Sequence, residues 1–183
     1  GSEMCIRDRF NSEATLLSIN VSAYDSIKHR ALSLVGDAKL TLNTLMKYCT
    51  AIKTSNDWQQ RVSVLRKEWL IAVDEASRDK GTLLPSDGEV VGAVNRSSRE
   101  RDVVVCAAGG LPGDLQKLWK TSFDRGYHVE YGYSCMGYEI AGGLGVKMAL
   151  PDSQVYVMVG DGSYLMMNSE IFSSVMLGLK LII

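Results

Sequence analysis

The 183-residue chain has few of the residues that build disulfide frameworks or metal clusters. Its four cysteines lie far apart and form no Cys-x-x-Cys pair: Cys5, Cys49, Cys106 and Cys135. Its two histidines, His29 and His128, are not spaced as metal ligands. This pattern argues against a disulfide scaffold or a zinc site, and it favours a reducing, cytoplasmic setting. Cys106 lies in an apolar run, so we interpret it as a small core residue.

Long apolar runs and an excess of charge are also missing. No stretch approaches the roughly 18–20 apolar residues that span a bilayer, and no basic start followed by an apolar stretch marks a secretory signal. The formal net charge is -1 and no Lys/Arg cluster occurs. These absences argue against a nucleic acid or an anionic membrane as partner and leave a small molecule. The 46% hydrophobic content suffices for one core, or for one domain with a piece of another.

Neither end reads as part of a complete domain. The opening segment (GSEMCIRDR) has no helical or strand period, and we interpret residues 1–13 as an artefact segment. Residues 180–183 (KLII) read as a buried strand that stops as it begins. We therefore expect the chain to be a fragment of a longer protein.

The first half of the chain predicts one strand and two amphipathic helices. The strand is residues 16–21 (LLSINV), and the helices show apolar residues at 3- and 4-residue spacing from Leu42 to Ile52 and from Trp58 to Ala72. We interpret the tryptophans of the second helix as core residues. Residues 77–88 are rich in charge, Gly, Pro and Ser, so we place a domain linker there.

Residues 89–183 alternate between predicted strands and helices. The predicted elements are a helix at 89–95 capped near Ser86 or Asp87, a strand at 103–108, a short helix through Trp119, an extended segment at 127–134, a glycine-rich helix at 137–150, a strand at 155–159 and a final helix with Leu165, Ile171, Phe172, Val175 and Met176 on its apolar side. This alternation predicts an α/β fold with a parallel sheet flanked by helices.

Three loops of this half leave strand ends or begin helices: residues 109–113, 133–137 and 160–164. In open parallel sheets, ligands bind at the carboxyl ends of the strands. Glycines in Gly160-Asp161-Gly162-Ser163 let the backbone approach a phosphate, and the following helix start offers free N–H groups. A carboxylate there would repel a phosphate unless a cation lay between them, so Asp161 makes most sense as a ligand of Mg²⁺ bound to a diphosphate.

A hairpin turn is the alternative explanation of this motif, because Asp-Gly suits tight turns between antiparallel strands. Helical periodicity from Leu165 onward argues against it. The upstream helix holds Gly142, Gly143 and Gly145, each about 1 kcal/mol less favourable there than alanine. Tight packing of the helix on the sheet and close approach to a bound cofactor both explain these glycines, and the sequence does not separate the two.

The run from Tyr131 to Gly145 (YGYSCMGYEIAGGLG), followed by residues 159–164 (VGDGSY), resembles the cofactor-binding domain of thiamine diphosphate (ThDP)-dependent enzymes. The CMGYEIAGG wording is similar to the branch that hydrolyses a carbon–carbon bond of an inositol-derived cyclic dione. The resemblance implies that residues 14–76 are the end of an α/β middle domain with its linking helix. It implies that residues 89–183 are the N-terminal part of a ThDP- and Mg²⁺-binding domain, in an enzyme that assembles as a homodimer or homotetramer.

The resemblance also assigns roles around the diphosphate. It makes Asp161 the first magnesium ligand, and it makes Gly160, Gly162 and the Ser163 backbone the diphosphate cradle. Tyr164 is either a wall of the site or only part of the first helical turn.

Four further residues match positions near the rest of the cofactor. Met136 matches the apolar side chain that supports ThDP in its bent form, with Cys135 beside it. An ordinary core methionine is the alternative for Met136. Gly110 and Leu111 match a loop that borders the cofactor.

Two parts of the family's site are not expected within this chain. The second magnesium ligand is an asparagine some two dozen residues after the Gly-Asp-Gly motif, and Asn168 is too close because it falls in the intervening helix, whose packed start we assign to Met166 and Met167. The activating glutamate comes from a separate domain, so we do not assign that role to Glu139, and we interpret Glu130 as a surface or structural carboxylate. We assign no catalytic residue to this chain and expect it to bind ThDP weakly or not at all, without turnover.

Two other functions remain open at this point. One is another ThDP enzyme, of acetolactate synthase or 2-oxoacid decarboxylase type. The other is a non-catalytic nucleotide-binding domain, which is weakened because no Gly-x-Gly-x-x-Gly opens the first strand–helix unit.

Overall fold

The computed structural model describes residue 11 and residues 13–183, so the interpretation of residues 1–13 falls almost wholly outside the described residues. Contacts divide the chain into two compact units, the first ending at Val62 and the second beginning at Ser63. The division falls inside one long helix, and the segment expected to be a linker, residues 77–88, lies within the second unit. The domain boundaries drawn from the sequence stay a prediction.

The first unit contains a small parallel α/β arrangement. Its elements are β1 (Leu17–Asn20), α1 (Ala23–Ser26), a 3-10 turn (Lys28–Arg30), β2 (Leu32–Val35) and α2 (Ala38–Tyr48). β1 and β2 pair in parallel, with Leu17 opposite Leu32. Asp37 caps α2 by accepting a hydrogen bond from the Leu40 N–H. The predicted strand and helix are confirmed, although the helix ends before Cys49 and Ile52.

Helix α3 (Asn56–Ser77) confirms the second predicted helix, but its apolar stripe is not covered. Trp58 is 57% exposed and Trp69 is 51% exposed, and Val73 is the one buried residue of the helix. The interpretation of these tryptophans as core residues is therefore wrong, because no described element packs over them. None of the described helices combines the length and the hydropathy needed to cross a membrane.

The second unit is built on a parallel sheet in the order β4-β3-β5. Its elements are α4 (Asp87–Ser97), β3 (Val103–Cys106), α5 (Gly110–Leu118), β4 (Tyr127–Val129), α6 (Tyr138–Ala149), β5 (Val155–Val157), α7 (Asp161–Met166) and α8 (Glu170–Met176). Beyond β5, Ile182 forms a parallel bridge with Tyr156, so the predicted last strand does lie beside the sheet. The parallel sheet flanked by helices confirms the predicted fold class.

Two hydrophobic clusters lie on the two faces of this sheet, because alternate residues of a strand point to opposite faces. On one face Val104 and Cys106 pack with Val91 of α4 and Leu115 of α5. On the other, Val103, Val105, Val155 and Val157 pack with Ile140 of α6. Full burial stabilises each such side chain by about 1.5–3 kcal/mol. β3 is thus buried on both sides, as its all-apolar sequence predicts, and Cys106 is a core residue.

The single helix predicted after the Gly-Asp-Gly motif is wrong, because the structure has two short helices there. Met167 leaves the helical conformation (φ -155°, ψ 72°), and α8 begins only at Glu170. Asn168 therefore lies between the helices rather than within one. The expected packing of Met166 and Met167 is also wrong, since they are 62% and 51% exposed. Asn and Ser side chains compete for backbone hydrogen bonds, which favours a break at residues 168–169.

Candidate functional site

Three loops meet the same edge of the second sheet. Because β3, β4 and β5 all run parallel, their carboxyl ends point the same way. The segments that follow them begin at Ala107, Glu130 and Met158 respectively. These are the three loops in which the sequence predicts ligand-binding residues, and this edge is where open parallel sheets bind ligands.

The Gly160–Ser163 turn begins α7 and leaves backbone donors free. Gly160 is extended (φ -77°, ψ 159°) and its carbonyl accepts a hydrogen bond from the Tyr164 N–H at 2.9 Å. The Gly162 N–H donates to Oδ1 of Asp161 at 2.8 Å. Within the described chain, the N–H groups of Asp161 and Ser163 have no protein acceptor. Two amides and one exposed carboxylate therefore lie together at the start of α7.

Met136 lies beside this turn. A Cβ added to Gly162 would be 3.9 Å from Cε of Met136, the one atom within 4 Å apart from its chain neighbours and the backbone of its own helix. The Met136 side chain is 45% exposed, which does not fit an ordinary core methionine. The structure thus brings together Met136 and Gly162, which lie in separate loops of the sequence.

A buried carboxylate joins the same two loops. Glu139, fully buried in the first turn of α6, accepts a hydrogen bond from the Ser163 hydroxyl, whose Oγ is 2.8 Å from each carboxylate oxygen. The Gly137 N–H lies 2.9 Å from Oε2 of Glu139 and 2.6 Å from Oγ of Ser163. Sequence reasoning placed only the Ser163 backbone at the site and missed this cluster. The signal was a glutamate in the first turn of a largely apolar helix, because buried charges need hydrogen-bonding partners.

Gly137 fits between these groups because it has no side chain. Its φ of +93° is in the left-handed region, which side chains disfavour. A Cβ there would also lie 2.9 Å from Cβ of Met167, at the end of α7. The loop of residues 133–137 is therefore close to both ends of α7, since Gly137 lies beside Ser163 at its start and beside Met167 just after its end.

Residues 107–183 match the family model of the thiamine pyrophosphate enzyme C-terminal TPP-binding domain, thiamine pyrophosphate being a synonym of ThDP. They belong to that family. The chain is also similar to proteins named 3D-(3,5/4)-trihydroxycyclohexane-1,2-dione hydrolase: 36% identical to that of Shouchella clausii, 35% to that of Bacillus subtilis and 39% to that of Bacillus cereus. These alignments cover 91%, 92% and 90% of the chain. The chain spans about 30% of the length of these relatives.

In this TPP-binding domain, a second carboxylate shapes the loop before Met136. Glu130 accepts hydrogen bonds from the N–H groups of Cys135 at 2.9 Å and Tyr133 at 3.3 Å, and these bonds lower the pKa of Glu130 below its ordinary value. A separate hydrogen bond from the Cys135 thiol to Glu130 raises the pKa of that thiol, which therefore stays protonated at neutral pH. Cys135 contributes loop geometry rather than a reactive thiolate.

Two other predicted site residues of the TPP-binding domain, Leu111 and Tyr164, contact its core, whereas Gly110 is exposed. α5 begins already at Gly110, earlier than expected, and a Cβ at Gly110 would meet open space. Leu111 is half-buried and packs against the cluster around Leu115. Tyr164 is half-buried and packs against the opposite cluster. This packing fits either of the two roles left open for Tyr164, so the choice between them stays a prediction.

The three glycines of α6 have different neighbours. A Cβ at Gly142 would overlap the ring of Tyr138, which lies over the helix and whose hydroxyl hydrogen-bonds Nε2 of His128 at 2.7 Å. A Cβ at Gly143 would lie 2.5 Å from Cγ2 of Val157 in β5, whereas one at Gly145 would meet nothing within 4 Å. Close packing, within the helix for Gly142 and on the sheet for Gly143, therefore explains two of the three.

No cluster of three or more His, Cys, Asp or Glu side chains that could hold a metal ion occurs in residue 11 and residues 13–183. Asp161 is the carboxylate of the Gly160–Ser163 turn. A cation at Asp161 would therefore need further ligands, such as phosphate oxygens or water.

Proposed function

We propose that this chain forms the diphosphate- and magnesium-binding part of a ThDP-dependent hydrolase that opens the ring of 3D-(3,5/4)-trihydroxycyclohexane-1,2-dione in inositol degradation. The observation that carries the proposal is the meeting of Met136 with the Gly160–Ser163 turn, at the carboxyl edge of a parallel sheet, in a chain similar to hydrolases of that name. The activity is proposed for the whole protein that carries this sequence.

The residues at this edge fit a magnesium diphosphate. Asp161 would be one magnesium ligand, and the free N–H groups of Asp161 and Ser163 would donate to diphosphate oxygens. Gly160 and Gly110 leave open space where a side chain would stand, so nothing obstructs a phosphate at either loop. The exposed part of Met136 would provide the apolar support against which the cofactor bends.

Bound ThDP supplies the electron sink for cleaving a carbon–carbon bond next to a carbonyl. The residues of this chain bind and orient the cofactor, and none of them is assigned a proton transfer. Cys135 stays a neutral thiol, and Glu139 is committed to hydrogen bonds with Ser163 and Gly137.

Assembly and compartment belong to the same proposal. A homodimer or homotetramer is supported by the exposed apolar side chains of α7 and α8, such as Leu165 and Phe172. A cytoplasmic location is supported by the described cysteines, Cys49, Cys106 and Cys135, all of which are free.

Substitution of the proposed magnesium ligand tests the binding part of this function. In the whole protein, Asp161→Asn should weaken binding of ThDP in the presence of Mg²⁺ on the order of tenfold or more, because a metal-ligating charge is lost. Isothermal titration at fixed Mg²⁺ measures the affinity. Asp152→Asn is the matched control, since Asp152 is an exposed aspartate in the loop before β5, at the opposite edge of the sheet. Equal affinities for the two variants would contradict the assignment of Asp161.

Product analysis tests the reaction. The whole protein, loaded with ThDP and Mg²⁺, should consume the cyclic dione and release a ring-opened acid, with no product from pyruvate. Formation of acetolactate or acetaldehyde from pyruvate, with the dione left intact, would favour a carboligase or decarboxylase instead. Preference for an adenine nucleotide over ThDP in the titration would contradict both.

A further inference from the structure

We propose that Glu139 is the positioning residue of the cofactor site, fixing Met136 over Gly162 through the Ser163 hydroxyl. This inference rests on the proposed function for its relevance to ThDP, but the contacts themselves involve only this chain. The family match and the names of the relatives assign no role to either side chain.

The argument begins with the burial of Glu139. Its side chain is fully buried, and no basic side chain of the described chain forms an ion pair with it. Its partners are the Ser163 hydroxyl and the Gly137 N–H, both neutral donors. Burying a carboxylate is costly unless such donors satisfy it, so the cluster holds together only if all three groups keep their places.

The second step is where the partners lie. Gly137 directly follows Met136, and Ser163 directly follows Gly162. One carboxylate therefore accepts hydrogen bonds from the residues adjoining both members of the Met136–Gly162 contact, although the two donors are 26 residues apart. Displacement of either loop by 1 Å would break at least one hydrogen bond, since such bonds weaken steeply beyond about 3.2 Å.

The third step is that the cluster sits behind the site and not in it. Ser163 is buried, whereas Gly162, Asp161 and Met136 are exposed. The Ser163 side chain points to Glu139, which leaves its backbone N–H free for an anion. Glu139 and the Ser163 hydroxyl thus support groups that face the cofactor without facing it themselves, the arrangement by which buried hydrogen bonds orient a binding site.

Nuclear magnetic resonance of the ligand-free 183-residue chain tests the positioning directly. The wild-type chain should show a nuclear Overhauser effect between the Met136 methyl group and the Gly162 α-protons, and slow exchange of the Gly137 amide. Glu139→Leu should abolish the first and accelerate the second by about 10- to 100-fold, as expected for a lost hydrogen bond to a charged acceptor. Glu139→Gln, which keeps one acceptor oxygen, should restore part of both signals.

Two matched controls separate positioning from general destabilisation. Glu89→Gln removes another buried carboxylate that accepts backbone N–H bonds, and Ser174→Ala removes another buried serine hydroxyl. Both should keep the Met136–Gly162 signal and the slow Gly137 exchange. Ser163→Ala should lose the Met136–Gly162 signal, although Glu139 can still accept from the Gly137 N–H in that variant. An intact signal in Glu139→Leu and in Ser163→Ala would overturn the proposal, as would its loss in the two controls.

Cofactor affinity in the whole protein distinguishes this inference from the proposed function. If wild type binds ThDP with Mg²⁺ and Glu139→Leu binds about tenfold or more weakly, both stand. If wild type and Glu139→Leu bind equally well, the positioning role is overturned and the function stands. If wild type does not bind ThDP at all, the proposed function fails, and the nuclear Overhauser effect alone decides whether Glu139 positions the loops.

Discussion

At the scale of single residues, Gly143 and Gly145 are two positions apart in α6 but have opposite environments. A Cβ at Gly143 would lie 2.5 Å from Val157 of the central sheet, whereas one at Gly145 would meet open space. Gly143→Ala should lower the free energy of unfolding by about 1–3 kcal/mol, the usual range for overpacking. Gly145→Ala should raise it by about 0.5–1 kcal/mol, because alanine favours the helix. Urea unfolding measures both, and a shift of the same sign in the two variants would contradict this assignment.

Residue roles differed in how far the sequence could predict them. Asp161 and Met136 stand in local motifs whose spacing carries the resemblance, so they could be named before the fold was known. The link between Glu139 and the Ser163 hydroxyl could not, because the two are 24 residues apart and only the sheet brings them together. The assignment of Leu111 to a loop that borders the cofactor stays a prediction. A local motif could not show that its side chain also packs against the core, because that contact depends on the fold.

At the scale of elements, α4 begins with a capping box, where the sequence predicted only a cap near Ser86 or Asp87. The Ser86 hydroxyl accepts from the Glu89 N–H at 3.4 Å, and Oε2 of Glu89 accepts from the Ser86 N–H at 2.9 Å. Glu89 also accepts a hydrogen bond from the Lys80 N–H at 2.9 Å. The same carboxylate therefore bonds both to the first turn of α4 and to the segment that precedes the helix. Ser86→Ala should cost about 1 kcal/mol in thermal or urea unfolding, with Ser97→Ala, at the last turn of the same helix, as the control.

The same carboxylate makes stability depend on pH. Hydrogen bonds from the Ser86 and Lys80 N–H groups lower the pKa of Glu89 from 4.5 to about 2. Since the folded pKa lies below the unfolded one, the stabilisation is fully present above about pH 4.5 and is lost as the pH falls towards 2. Urea unfolding between pH 2 and 6 should show a shallower acid loss for Glu89→Gln than for wild type. An exposed glutamate variant, Glu100→Gln, should retain the wild-type slope; equal slopes for all three proteins would rule the mechanism out.

Most elements were predictable because hydrophobic period and capping residues are local. The exceptions are elements whose ends depend on tertiary contacts. Residues 165–176 carry apolar residues at helical spacing, yet Met167 breaks the helix next to Gly137. The tryptophans of α3 follow a helical stripe correctly, but the stripe alone does not say whether another element covers it. The spacing of apolar residues predicts that a helix forms, whereas tertiary packing decides where the helix ends and which of its residues are buried.

At the scale of the whole molecule, the two units differ in how much core they contain. The first is organised around a two-stranded sheet whose β2 residues are all exposed, whereas β3 in the second is buried throughout. The parallel fold was predictable from strand–helix alternation. The division at Val62 was not, because α3 continues through it without any Gly or Pro.

This difference predicts that the two sheets open independently. A two-stranded sheet is marginally stable in water, so the amides of β2 should exchange through local opening, while those of β3 exchange only when the second unit unfolds. Native-state hydrogen exchange in rising urea should therefore give a lower opening free energy for residues 32–35 than for residues 103–106.

A pair of variants tests this independence more directly. Ser26→Ala removes the 2.5 Å hydrogen bond between Ser26 and Ser33 and should accelerate exchange in β2 alone. Val105→Ala leaves a cavity in the second core and should accelerate exchange in β3 alone, because destabilising one unit leaves the other's opening unchanged. One common opening free energy for both sheets, lowered equally by either variant, would show instead that the chain unfolds as a single cooperative unit.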